Sequence, residues 1–110
     1  MNISFQQAAG DDLARQFRYY LVTLNAPGVA VRFRKSVRLS VEALRRHPLA
    51  GPLYPLSNRE LQGVRSWPVE GFEVMRVYYQ LDGDTIRVIR ILHGKRDVKR
   101  ILEAERQVGE

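Results

Sequence analysis

Hydrophobic residues recur along this chain in two rhythms, helical in its first half and alternating in its second. Ile3 and Phe5 bracket a polar residue, which predicts a short strand over 2–5. From about Gln7 the rhythm changes, and Leu13, Phe17, Tyr20, Leu21 and Leu24 fall on one helical face. Asp11 and Asp12 come before Arg15 and Arg18, the order that suits the helix dipole and i,i+4 pairing. Asn25-Ala26-Pro27-Gly28 breaks this helix. Pro27 then suits the first turn of a second one, where its missing N–H has no partner to lose. Ala30, Phe33, Val37, Val41 and Leu44 make the apolar stripe of that helix, and Arg32, Arg34, Lys35, Arg38, Arg45 and Arg46 occupy its other faces. Pro48 ends it after His47. The pair reads as a helical hairpin with an apolar seam that can cover a sheet.

Residues 49–58, with Gly51, Pro52 and Pro55, read as an irregular connection. Three strands follow, over 64–69, 72–81 and 85–93, the second rich in β-branched and aromatic residues. Glu70-Gly71 and Asp82-Gly83 are the expected turns. Asp97 is placed to cap a last helix through Ile101, Leu102 and Glu105. The expected fold class is therefore α+β: a small antiparallel sheet packed against an N-terminal helical hairpin, with a short C-terminal helix. One domain spans residues 1–110.

If both turns contain two residues, the strand register follows. Met75, Val77, Tyr79 and Leu81 then face the helices, opposite Arg90, Val88, Ile86 and Asp84. The other face brings Arg65 opposite Arg76 and Tyr78 opposite Arg87, interleaved with Trp67, Phe72 and His93. Like charges across a ladder repel, so such a face calls for an anion or a partner's carboxylates. The register is the hinge of this reading, because one bulge would carry Arg65 to the opposite side.

Composition narrows the chemistry. The chain has no cysteine and a net charge of +6, with only Lys35, Lys95 and Lys99 as lysines among its 18 basic residues. Guanidinium forks match carboxylates and phosphates, so the expected partner is anionic. Without thiols, and with His47 and His93 far apart, neither a metal nor another cofactor is expected. The N-terminal segment lacks the pattern of a signal peptide, and no apolar run would span a bilayer. The expected location is the cytoplasm, with no membrane contact.

Arg65-Ser66-Trp67-Pro68-Val69, Gly71-Phe72, Arg76-Val77-Tyr78-Tyr79 and Leu92-His93-Gly94-Lys95-Arg96-Asp97 together resemble the C-terminal half of ParE-type toxins, within the ParE/RelE superfamily. The likeness extends over nearly the whole chain. It implies the family fold and a cognate acidic antitoxin that folds onto the toxin, as a heterotetramer or with toxin dimers. Relatives of this fold have two activities. ParE-like members poison DNA gyrase, whereas RelE-like members cut messenger RNA at the ribosome.

The likeness to ParE makes a gyrase poison the expected function. In that reading Arg65, Trp67, Phe72, Arg76, Tyr78, Arg87 and Arg96 are the expected target- or antitoxin-binding residues. The alternative is a RelE-like endoribonuclease acting through Arg65, Arg76, Arg96 and His93. Cleavage by 2′-hydroxyl attack needs a proton acceptor and donor as well as cations. The C-terminal helix lacks the tyrosine that RelE-like members often use, which leaves His93 as the one titrating candidate. A third class, a basic nucleic-acid-binding module without toxicity, has no recognition motif behind it.

Overall fold

The computed structural model describes the backbone of residues 1–108 and the side chains of residues 1–104. Strand β1 (Asn2–Phe5) leads into helix α1 (Gln7–Arg18), which continues as a π-helical turn, Tyr19–Thr23. Helix α2 (Pro27–Ala43) runs back, a single 3-10 turn spans Arg59–Leu61, and strands β2 (Arg65–Val69), β3 (Phe72–Asp82) and β4 (Thr85–His93) precede helix α3 (Val98–Val108). The four strands form one sheet in the order β1-β4-β3-β2. Three are antiparallel, and β1 joins β4 in parallel. A parallel pair needs a crossover connection, and the helical hairpin between β1 and β2 forms part of it.

Pro27 occupies the first turn of α2, as its sequence predicts. The helix stops at Ala43 instead of His47, because the N–H groups of Leu44, Arg45 and Arg46 turn back to carbonyls three residues earlier. The π-helical turn also departs from the simple periodic reading. Leu24 donates to the carbonyl of Tyr19 and Ala26 to that of Tyr20, so the helix widens before Asn25 enters the left-handed region at φ 48°. The widening turns Tyr20 inward against Phe33 and Phe72, with ring centroids 5.4 and 5.8 Å away. Leu21 and Leu24, expected on the same buried face, lie on the surface.

Both faces of the sheet are covered. On one, Phe33, Val37, Val41 and Leu44 of α2 pack against Val77, Tyr79, Ile86, Val88 and Ile91. On the other, Val98 and Leu102 of α3 join Leu56, Leu61, Val64, Tyr78 and Leu92 in a second core. The expected open arginine face is therefore largely roofed by α3 and residues 54–64.

The register differs from expectation at three places. The β3–β4 turn is Gly83-Asp84, with Asp82 opposite Thr85, which preserves the faces. Farther down, Tyr79 pairs with Val88 but Tyr78 pairs with Arg90, so Ile89 is an extra residue in β4. Between β2 and β3 the expected pair Val69–Phe72 forms, but the next is Pro68–Arg76. Proline has no N–H to give the ladder, and α2 takes over: Ser40 accepts from Trp67 Nε1 on its carbonyl and from the Glu70 amide on its hydroxyl, both at 3.0 Å. The shift moves Arg65 from Arg76 to Tyr79, an odd number of positions, and so reverses its face.

Candidate functional site

The expected row of arginines is divided between the two sides of the sheet. Arg65 lies on the helical-hairpin side, where its Nη1 donates to the carbonyls of Gly51 at 2.8 Å and Leu49 at 3.2 Å. Tyr79 completes this anchor, donating to the Pro48 carbonyl at 2.8 Å and accepting from the Gly51 amide at 3.1 Å. Burial raises the Tyr79 pKa, although the Gly51 N–H and the nearby Arg65 charge oppose the rise. Arg65 and Tyr79 thus fasten the loop after α2 to the sheet.

Trp67 and Phe72, expected beside the arginines, also belong to the hairpin side. Trp67 bonds α2 through Ser40, and Phe72 meets Phe33 edge-on at 5.3 Å. Tyr78 is on the opposite side but buried, its ring against Tyr54 at 5.3 Å. Its pKa is raised, first by burial and then by Tyr54, with Arg76 pulling it down. The expected arginine face therefore fails for Arg65, Trp67 and Phe72 through the irregularity between the Val69–Phe72 and Pro68–Arg76 pairs, and for Tyr78 through the α3 roof.

Arg76 and Arg87 do share a face. Arg76 Nη2 donates to Ser66 Oγ at 2.8 Å, and its stem crosses Gly94 so closely that a Cβ there would lie 3.2 Å from Arg76 Cγ. This contact gives a physical reason for glycine between His93 and Lys95. Arg87 pairs with Asp82 at 3.5 Å. His93 Nδ1 accepts from the Lys95 amide at 3.2 Å, as expected of a histidine opening a loop. It lines a cleft of about 80 Å³ with Arg96, Arg15 and Gln16. Asp97 accepts from the Arg100 amide at 3.4 Å at the start of α3, the capping role its position predicts. No three His, Asp or Glu side chains among the described residues are placed to hold a metal. Among the described residues no helix is long and apolar enough to cross a membrane.

Two features escape the sequence reading. The first is Asp12, buried and bonded to Arg90 from both oxygens. The second is a groove of about 490 Å³ along α1 and the π-helical turn, floored by Leu13, Phe17, Leu21 and Val22. Arg18 and Arg34 stand on its rim, with the Arg34 guanidinium 4.8 Å from the centre of the Phe17 ring. A signal for the groove was present: the apolar run Tyr19-Tyr20-Leu21-Val22 is broader than one buried helical face requires. An exposed apolar surface with charged edges marks a docking place.

The sequence profile for the ParE toxin of type II toxin–antitoxin system, parDE, matches residues 3–98. The chain belongs to the ParE toxin family. No curated protein matches it. Among solved structures, this ParE-family toxin is similar to the chromosomal ParDE TA system from P. aeruginosa, with 22% identity and a TM-score of 0.68 over 84% of this chain and 95% of that one. It is also similar to the heterotetrameric YoeB-YefM toxin-antitoxin complex from Staphylococcus aureus, with 16% identity and a TM-score of 0.51 over 82% and 92%. At these identities the structural likenesses establish the shared fold, and the profile match establishes the family. The resemblance in the Arg65–Val69 and Leu92–Asp97 motifs thus agrees with both comparisons.

Proposed function

We propose that this ParE-family toxin arrests growth by poisoning DNA gyrase and does not cut messenger RNA. The observation that carries this choice is that Arg65 and Arg76 lie on opposite sides of the sheet, so both cannot reach one phosphate beside His93 and Arg96, which share a small cleft. A ribonuclease needs its cations and its proton-transfer group around one scissile phosphate. Arg65 is engaged by carbonyls on the hairpin side, whereas Arg76 bonds Ser66 on the other. His93 accepts a backbone hydrogen bond, and Tyr78 and Tyr79 are buried with pKa values raised by that burial, which makes them poorer proton donors still. Arg76, Arg87 and Arg96 remain the target-facing residues of this proposal; Arg65, Trp67, Phe72 and Tyr78 support them by holding the sheet and its roof.

The neutralising partner in this reading is a cognate acidic antitoxin, acting in the cytoplasm. Its amphipathic segment lies in the α1 groove, with apolar side chains over Phe17, Leu21 and Val22 and carboxylates toward Arg18 and Arg34. The solved YoeB-YefM complex is heterotetrameric, and a two-plus-two assembly is the arrangement proposed here.

The test uses the purified chain in two assays. Gyrase supercoiling should be lost while messenger RNA in a translation extract stays intact, and addition of the antitoxin should restore supercoiling. Ribosome-dependent cuts with normal supercoiling would replace this reading with the ribonuclease one.

A further inference from the structure

The outward face of α2 carries charge that the fold does not use. Arg32, Lys35, Leu39, Glu42 and Arg46 follow one another at spacings of three and four, a single stripe along the helix and its last turn, with Arg38 beside it. All six are exposed. Glu42 is the only carboxylate among them, and Arg45 holds it at 2.8 Å. Among the described residues, the side chains of Arg32, Lys35, Arg38 and Arg46 have no hydrogen bond, ion pair or ring contact.

Such an arrangement works against the helix that bears it. Lys35 and Arg38 are like charges three residues apart, as are Arg32 and Lys35, and helical pairs of this kind repel. The first turn of α2 contains no acidic residue to offset cations near its positive end. Ordinary exposed helices interleave carboxylates at these spacings. Here Glu42 is the single carboxylate at these spacings, so the cations stand in solvent, open to an anionic partner.

We infer that this stripe binds the phosphate backbone of duplex DNA without reading its sequence. The 17-residue helix is about 25 Å long, enough to follow several phosphates of a duplex. Arginine and lysine contacts to phosphate give affinity and position but no base specificity. Single-strand binding would need aromatic platforms for base stacking, whereas the large exposed apolar residues of α2 are the aliphatic Val31 and Leu39. The stripe faces solvent beyond the α1 groove, so DNA contact does not depend on the proposed gyrase target or antitoxin seat.

The test is fluorescence anisotropy of a labelled random-sequence duplex with the full chain, over a salt series. A variant carrying R32Q, K35Q, R38Q and R46Q is compared with R59Q, K95Q, K99Q and R100Q, which removes equal charge elsewhere. The stripe variant should weaken binding about tenfold or more and reduce the salt slope by about 3–4. The control variant should retain most of both. Thermal melting should show the stripe variant at least as stable as the parent, since it relieves repulsion, so lost binding cannot be attributed to unfolding. Absence of duplex binding, equal losses in the two variants, or tighter binding of a single strand would overturn the inference. So would a stripe variant that loses antitoxin binding alone.

Discussion

Asp12 of α1 and Arg90 of β4 form a buried two-pronged ion pair: Arg90 Nε reaches Asp12 Oδ2 at 2.7 Å and Nη2 reaches Oδ1 at 2.8 Å. The Ile91 amide adds a third bond to Oδ2 at 2.9 Å, and Arg15 approaches Oδ1 at 3.4 Å. Arg90 follows the extra residue Ile89 in β4, so the bulge stands where the helix and strand are fastened together. This relationship joins the first helix to a strand nearly the whole chain later. It also secures the N-terminal half of α1, whose other end forms the groove.

Removing one partner of a buried pair strands the other in a poor solvent. Asp12→Ala is therefore expected to cost about 3–5 kcal/mol in urea unfolding, because the Arg90 guanidinium loses its carboxylate. Arg90→Ala should cost a similar amount, and the double substitution much less than the sum. Additive losses would show that the two side chains act independently.

Gly51 is the most crowded of the glycines among the described residues. A Cβ there would lie 2.6 Å from the Ser66 carbonyl oxygen and 2.8 Å from the Tyr79 hydroxyl. Gly51→Ala should destabilise the protein by about 1–3 kcal/mol through this overpacking. Tyr79→Phe, which removes both hydrogen bonds of the phenol, should cost about 1–3 kcal/mol by leaving the Gly51 amide and Pro48 carbonyl unpaired. A melting temperature unchanged by either substitution would contradict the anchoring role.

The buried phenols also set an alkaline limit. Tyr78 and Tyr79 have pKa values raised above the ordinary 10.0, mainly by burial. Below that value both folded and unfolded states are protonated, and the phenols contribute no pH dependence. Above it the unfolded chain ionises first, so stability falls as pH rises toward the folded values. Urea midpoints between pH 8 and 11 should decline less steeply in Tyr78→Phe than in the parent. Identical slopes would argue that Tyr78 ionises in the fold as it does in water.

The groove separates neutralisation from folding. Val22 is 67% exposed, so Val22→Glu should change stability by no more than about 0.5 kcal/mol. The same change places a carboxylate where, in the binding mode proposed above, the antitoxin seats its apolar side chains. Antitoxin affinity should fall at least tenfold by calorimetry, while growth arrest by the toxin alone persists. Higher salt should slow association of the parent pair, since the rim charges of Arg18 and Arg34 act mainly on encounter.

The elements were legible because each carries its own local signal. Pro27 at the start of α2, the glycine turns and the alternation through β3 and β4 locate helices and strands without tertiary information. The faces of the sheet were not legible, because they depend on local register irregularities. Ile89 and the Pro68–Val69 irregularity change register with no periodic trace, and the latter is fixed by Ser40 from a distant helix. Arg65 was misplaced for that reason. For Asp12 the sequence shows only a fit to the helix dipole and local pairing, since its partner Arg90 lies far along the chain. The second core takes the place of the expected open arginine face, because Leu56, Leu61 and Val64 become apolar walls only when α3 closes over them.

The central claim concerns which process stops first. After induction of the chain without antitoxin, pulse labelling should show DNA synthesis falling while protein synthesis continues. An immediate fall in protein synthesis, with DNA synthesis following later, would contradict gyrase as the target.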